Sequence, residues 1–477
     1  MSLIVRDSSL HRIDLSTRMP FKYGIAVMTD LPHVILRASV DTGSRTTEGW
    51  SGDSLPPKWF TKNPERDPGD EVQEMIEVIV HAMNIAVGLR ARSVFDLWWQ
   101  MYEGQMEWGR EAGLPPLLTH FGVSLVERAV MDAVCRSESS PFHRLLKHNA
   151  FRVDLGKLYP ELVDSQPSDY LPNDPLSRIV CRHTVGLADP MVESDIDSSE
   201  RLEDGLPQSL AASARAYGLR ELKIKISGDI EQDAERLSEL AAMADAEMPE
   251  DYRFSLDGNE QFSAAADFAA AWAGSLDLVR APSFWRRLVF IEQPVHRDRT
   301  FDAPMPEILD GSGRAVPVII DEADGGPGDF AEALALGYSG VSHKNCKGVC
   351  KGLANRCLVA HRARQSTGGR ILMTGEDLGS IGPVSMVQDL AVQAAFGISS
   401  VERNGHHYFA GLSQLPHTLQ QPALEYLPAL YHRTEEGWPA LTIREGMIDV
   451  SNINSAPFGV PFRPDLSEGF QQVAGVD

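Results

Sequence analysis

Six charged residues, Lys225, Asp257, Glu292, Asp321, Lys344 and Glu376, each close a short apolar run, and they follow one another at intervals of 23 to 35 residues. Asp257, Glu292 and Asp321, brought together, would repel one another strongly and so need a cation. An oxygen-only donor set of this kind suits Mg2+ or Mn2+. Lys225 and Lys344 would flank the ion, and a lysine beside a dication and other cations can have the lowered pKa that a general base needs. The chemistry this set could do is removal of a proton next to a carboxylate, with the metal holding the carboxylate and stabilising the enolate.

Strands must position these groups. Leu222-Lys223-Ile224-Lys225-Ile226 alternates apolar and charged residues, so Lys223 and Lys225 project from one face, about 7 Å apart by strand rise. Alone, such a strand reads as a surface strand showing lysine to water; its regularly spaced successors change that reading. From residue 179 strand-like and helix-like runs alternate, including predicted helices over 210–217, 230–246, 263–278, 330–336, 352–363 and 384–396. Eight such units, in about 230 residues, predict an α/β fold with a closed (β/α)8-type barrel, whose C-terminal strand ends carry the chemistry. Residues 1–150 predict an α+β domain. Its strands are expected at Gly24–Met28 and Val34–Val40, with Asp30-Leu31-Pro32 as the turn between them. Residues 151–178, rich in Pro, Asp and Ser, are expected to connect the two domains; 179–425 form the barrel and 426–477 a C-terminal segment.

Composition narrows the class. The chain has 477 residues, 43% hydrophobic and 23% charged, enough for a large core, and a net charge of −23 that disfavours nucleic acid as a partner. No apolar run reaches about 18 residues, so no membrane span is expected. The N-terminal Arg6, Asp7, His11 and Arg12 do not read as an export signal, and five sparse cysteines fit a reduced cytoplasm. Cys346, Cys350 and Cys357 lack a CxxC pair or a His partner and read as one helix face. The expected partner is a small carboxylate; self-association is left open.

The motifs Lys223-Ile-Lys225, Asp257-Gly-Asn259, Ile291-Glu292-Gln-Pro294, Asp321-Glu322 and Lys344 resemble those of the enolase superfamily, in its mandelate racemase/muconate lactonizing enzyme family. A lysine on the sixth strand resembles the muconate-lactonizing, two-lysine subgroup. The resemblance implies metal ligation by Asp257, Glu292 and Asp321, acid/base roles for Lys225 and Lys344, and a hold on the substrate carboxylate by Lys223. It selects Asp321 over Glu322, and it implies that residues 1–150 form a capping domain to which Ala456–Val460 returns. Asn345-Cys-Lys-Gly348 and Asn404-Gly-His-His-Tyr408 depart from the family pattern, which bears on substrate rather than fold.

Other residues carry two readings. Asn259, His406 and His407 are candidates to touch substrate, the histidines alternatively being surface loop residues. Glu376 would bind substrate, hold a lysine or be structural, and only one of Glu376 and Asp377 can face the mouth. His343 is expected to pack against a helix. Phe21, Tyr23 and the segment Gly52–Trp59 are expected to set specificity and exclude water, or else to be ordinary turns. Three functions compete: a metal-dependent isomerase (racemase, epimerase or cycloisomerase), a lyase dehydrating an acid sugar through the same enolate, and a non-catalytic carboxylate-binding barrel. Six buried charges without a task would be costly, which weighs against the last. A metal hydrolase would want His-x-His on strand one, where Arg182-His183-Thr184 supplies one histidine.

Overall fold

The computed structural model describes residues 2–279, 281–365 and 370–477. The N-terminal part opens with β1 (Leu3–Tyr23), β2 (Ala26–Asp41) and β3 (Thr46–Ser54), an antiparallel meander. Three helices follow: α1 (Pro68–Ala86), α2 (Val94–Glu111) and α3 (Pro116–Glu138). Local chemistry sets their starts. Asp67 accepts from the Gly69 N–H ahead of Pro68, and Ser93 accepts from that of Asp96. The expected turn at Asp30-Leu31-Pro32 is not one. These residues continue β2, opposite Ser16, Leu15 and Asp14, and the chain reverses at Gly24-Ile25, where Gly24 takes φ +47°. Pro32 is tolerated there because pairing with β3 begins only at His33.

The barrel follows. Its strands are β4 (Arg178–Val185), β5 (Glu221–Lys225), β6 (Arg253–Asp257), β7 (Leu288–Glu292), β8 (Val318–Ile319), β9 (Gly340–His343), β10 (Leu372–Gly375) and β11 (Ser400–Arg403). They run parallel in the order β9-β10-β11-β4-β5-β6-β7-β8. A parallel bridge between Ile320 and Val341, with Ile320 N–H donating to Gly340 O at 3.1 Å, joins the two ends. The connecting helices include α4 (Leu210–Tyr217), α5 (Ile230–Glu247), α6 (Ala265–Leu278), α7 (Asp329–Ala335), α8 (Val349–Gln365) and α9 (Ser385–Phe396). The fold is thus a (β/α)8-like parallel barrel capped by an α+β domain.

The chain between the two parts, from Phe142 to Asp169, is a series of short helical turns with Phe151, Leu155 and Leu162 buried. After the barrel, β12 (Met447–Asp449) runs antiparallel to β4, and β13 (Gln471–Val476) pairs with β1, so the C-terminus completes the capping sheet. Phe458 stacks on Phe142, with ring centroids 4.3 Å apart.

The helix α3 joins cap and barrel. It is buried on every face from Leu117 to Cys135, as expected of a helix with neighbours all round. Gly49 lets it lie against β3: a Cβ there would stand 2.1 Å from Ala129 O. On the barrel side, Glu127 accepts the Val349 N–H at the start of α8. Arg128 pairs with Asp53 at 2.8 Å and also bonds Gly52 O at 2.9 Å, tying α3 to the end of β3. We expect Gly49→Val to lower unfolding free energy by about 1–3 kcal/mol in urea denaturation, through overpacking. An unchanged midpoint and slope would show that α3 does not seat on β3 this closely.

Candidate active site

The inward positions of β5 to β11 place lysines and carboxylates at the C-terminal mouth of the barrel, because alternate strand residues share a face and all eight strands end there. Lys223 Nζ lies 2.9 Å from Asp257, 3.0 Å from Glu292, 2.7 Å from Glu376 and 2.9 Å from Glu402. Lys225 pairs with Asp257 at 2.6 Å. Lys344 bridges Asp321 and Glu376, the latter at 2.7 Å. Lys347 holds the other Asp321 oxygen at 2.8 Å. All of these groups are buried.

The electrostatics follow from that arrangement. Burial opposes charge on Lys223, Lys225 and Lys344, but the carboxylates around them prevail and hold all three pKa values above the ordinary lysine range. Burial likewise opposes charge on Asp257 and Glu376, which their lysine partners keep well below the carboxylate range. Glu292 is the exception: burial and then the neighbouring Glu376 push it well above. Neither of its carboxylate oxygens accepts a hydrogen bond; its one cation, Lys223, is shared with three other carboxylates. Glu292, Asp321 and Glu376 each bring an oxygen within 4.8 Å of the others, an all-oxygen set that fits a hard divalent ion. A lowered lysine pKa, which a base requires, needs such an ion to take up the carboxylate charge.

Above this floor lies a cavity with about 450 Å3 of atom-free space. The cap supplies its apolar side through Phe21, Tyr23, Met28, Pro56 and Trp59, and the Trp59 ring stands 5.1 Å from Lys344 Nζ. Arg297 pins that cap segment to the barrel. It donates to Trp59 O at 2.7 Å and Phe60 O at 2.9 Å, while Glu260 accepts three further bonds from it, one of them from its backbone N–H, each at 2.8 Å. Lys62 adds an ion pair to Glu260 at 3.2 Å.

Residues 207–432 match the family model described as enolase C-terminal domain-like. No curated protein matches the sequence. Solved structures do. A dipeptide epimerase from Cytophaga hutchinsonii, complexed with Mg and the dipeptide D-Ala-L-Val, is 14% identical over 99% of this chain and 100% of its own, with a TM-score of 0.60. A mandelate racemase/muconate lactonizing protein from Herpetosiphon aurantiacus is 16% identical, covering 96% and 98%, at 0.59. An enolase from Bradyrhizobium complexed with magnesium and mandelic acid is 14% identical, covering 94% and 93%, at 0.57. The chain shares the fold of these structures, a (β/α)8-like barrel under an α+β cap.

Within this barrel, Lys223, Lys225, Asp257, Asn259, Asp321, Lys344 and Glu376 line the cavity, as do Phe21 and Tyr23. Glu292 lies at the floor through Lys223. Asn259 donates its N–H to Asp257 at 2.9 Å and keeps a buried side-chain oxygen unpaired. Glu322 has no ion-pair partner among the described residues, and its pKa is pushed up to about 8 by burial and by Asp321, Glu260 and Asp257. Glu376 holds two lysines, whereas Asp377 pairs with Arg403. His343 faces α8, where a Cβ on Gly352 would meet its ring at 2.4 Å. His406 and His407 are not among the cavity-lining residues. Both are buried beside His183, His406 at 2.9 Å from its Nδ1, because a helical turn at Gly405–Tyr408 folds them back toward β4.

Three contributors escape the sequence reading. Glu402 occupies the inward place on β11, accepting from Thr184 at 2.7 Å as well as from Lys223. Its signal is a charged residue at a strand end, masked because Ser399-Ser400 breaks the apolar run before it. Lys347 lies in the turn after Lys344 that departs from the family pattern. Gln293 takes φ +32° and accepts the Asp321 N–H at 2.8 Å while donating to Val295 O at 2.7 Å, which fixes Asp321. Removing the Arg297 clamp tests the cap contact. We expect Arg297→Met to speed tryptic cleavage after Lys58 and Lys62; cleavage rates equal to wild type would show that the segment is held without it.

Proposed function

We propose that this protein is a divalent-metal-dependent enzyme of the mandelate racemase/muconate lactonizing enzyme family, within or near its two-lysine subgroup. It removes the α-proton of a small carboxylate and returns one to the resulting enolate, as a racemase, epimerase or cycloisomerase. What supports this reading is that Lys225 ends barrel strand two and Lys344 directly follows strand six, two strands on opposite sides of the barrel, with the Glu292, Asp321 and Glu376 cluster at the same mouth. The Mg2+, mandelic acid and dipeptide bound to solved structures of the same fold are consistent with the substrate class.

Asp257, Glu292 and Asp321 are the proposed ligands of Mg2+, for which Mn2+ can substitute, and Glu376 closes the carboxylate cluster beside them. The ion, when bound, holds the substrate carboxylate and stabilises enolate charge. Lys223, which the carboxylates hold charged, orients the substrate carboxylate. Lys225 and Lys344 take and give the proton on opposite faces of the α carbon. Phe21, Tyr23 and Trp59 close the apolar side and exclude water, and Asn259 and Glu376 present polar atoms to the substrate; His406 and His407 contribute only through the wall behind β4. The protein acts on a small molecule, and among the described residues no helix is long and apolar enough to cross a membrane.

Metal titration by calorimetry separates the ligands. Asp257→Asn should weaken Mg2+ binding at least about 100-fold, more than loss of a typical outer-sphere partner. Wild-type affinity in that variant would remove Asp257 and leave Glu376 as the third ligand.

Proton exchange tests the lysines. In deuterated water, with a carboxylate substrate offered as each enantiomer, Lys225→Met and Lys344→Met should each stop exchange from one enantiomer and keep some from the other. Near-normal turnover of both by Lys344→Met would exclude it as acid or base. Deuterium in recovered substrate without other mass change supports an isomerase; loss of water would place the reaction with the lyases.

A further inference from the structure

The opposite end of the barrel holds a second concentration of charged side chains. A cavity with about 1050 Å3 of atom-free space opens at the N-terminal ends of the strands. Arg182, Arg253, Arg356 and Arg370 line it, against one carboxylate, Glu221. That carboxylate is already engaged by the Ser400 hydroxyl. Among the described residues Arg253 and Arg370 have no ion pair or side-chain hydrogen bond, and Arg356 donates only to Phe396 O, at 2.6 Å.

Arg182 forms the inner end of this cavity. It is 2% exposed, and its guanidinium bonds Ser400 Oγ at 3.0 Å, yet its Nε is buried without a partner. The hydroxyls of Ser255 and Thr374, on β6 and β10, line the same space and are also buried without partners. A second cavity adjoins the first, shares Arg253 and Arg370, and adds Arg286, Arg287 and Arg314. Arg287 and Arg314 pair with Asp245 and Asp310, at 2.7 and 2.8 Å, whereas among the described residues Arg253, Arg286 and Arg370 have no ion pair, so in a chain of net charge −23 this mouth keeps guanidiniums without counter-charge.

We propose that this mouth binds a phosphoryl group. Glu376 stands 3.6 Å from the Arg182 guanidinium and Glu221 offsets one more charge, so the four guanidiniums leave an excess of two positive charges, which suits a dianion. The donors come from β4, β6, β10 and α8 and so surround a centre from several sides, as a tetrahedral oxyanion needs; a planar carboxylate would engage one arginine fork and leave the rest. The unpaired Nε and two hydroxyls supply donors at the inner end. The space exceeds that of a lone phosphate, so a phosphate ester fits better than the free ion. This site is separate from the proton-transfer chemistry at the other end, and neither depends on the other being right.

Calorimetry on the full chain tests it with two probes, inorganic phosphate and glycerol phosphate, each against a sodium chloride control of matched ionic strength. Saturable one-to-one binding is expected, tighter for the ester. Arg253→Gln and Arg370→Gln should each weaken it about tenfold, since one charge-assisted bond contributes roughly that factor. Lys225→Met should bind phosphate like wild type, which separates this site from the active-site lysines. Binding lost in Lys225→Met but kept in both arginine variants, or no saturable binding of either probe, overturns the proposal. Tighter binding of inorganic phosphate than of the ester would keep the site and make the free ion its ligand.

Discussion

Four carboxylates converge on one ammonium at the heart of this barrel, and much of the remaining structure serves to make that arrangement tolerable. Asp257, Glu292, Glu376 and Glu402 all lie within 3.0 Å of Lys223 Nζ. Each is buried, and taking charges out of water costs several kcal/mol per ion unless partners repay it. Lys225, Lys344 and Lys347 supply the rest of the positive charge, on Asp257, Glu376 and Asp321. Even so Glu292 remains short of counter-charge, with neither oxygen accepting a hydrogen bond. A well-packed apolar set of similar volume would be at least as stable, so the network is best understood through its chemistry.

Such a site must be held by rigid backbone. Closed parallel pairing fixes the strand ends, and Gln293 fixes Asp321 through its amide at an unusual φ. The cap is anchored at several points, among them an ion pair from Arg18 to Asp204 at 2.6 Å. Buried α3 locks the capping sheet to α8 through Glu127 and Val349, and Arg297 with Glu260 fastens the Trp59 segment over the mouth. These contacts are charge-assisted and water-poor, which gives the apolar wall of Phe21, Tyr23 and Trp59 a definite position above the lysines.

Much of this was legible in the sequence because period and spacing are local properties. The helix at Leu210–Tyr217 was readable to the residue, and each of the six charged positions lies at or just beyond the end of a barrel strand. The reversal at Gly24-Ile25 was missed because Asp30-Leu31-Pro32 carries the stronger local turn signal, which pairing with β1 overrides. Glu402 was missed because Ser399-Ser400 interrupts its apolar run. His406 and His407 looked exposed after strand eight, and only the helical turn at Gly405–Tyr408 reveals that they fold back on His183. Which carboxylates share an oxygen cluster is a further step removed. Asp257 and Glu376 both point inward, but their distances depend on barrel curvature and on which lysine each meets, and no sequence interval encodes that.

The barrel interior itself shows how far polar function has displaced packing. In a barrel of this type, layers of branched apolar side chains usually fill the centre. Here the separate apolar cluster inside is reduced to Phe290, Ile319 and Leu372. Arg182 passes beside it, its guanidinium 5.1 Å from the Phe290 ring and 3.6 Å from Glu376 above. Ser255, Ser342 and Thr374 take positions where larger residues would pack, and each leaves its hydroxyl without a partner. A centre so thinly filled contributes little of the hydrophobic stabilisation that a barrel ordinarily draws from it. The stability has moved outward, to the helices and strands of the main core and to α3, where buried apolar side chains are continuous from cap to barrel. That division lets the inward face of the strands be selected for charge at the active-site end, while the outward face alone specifies the fold.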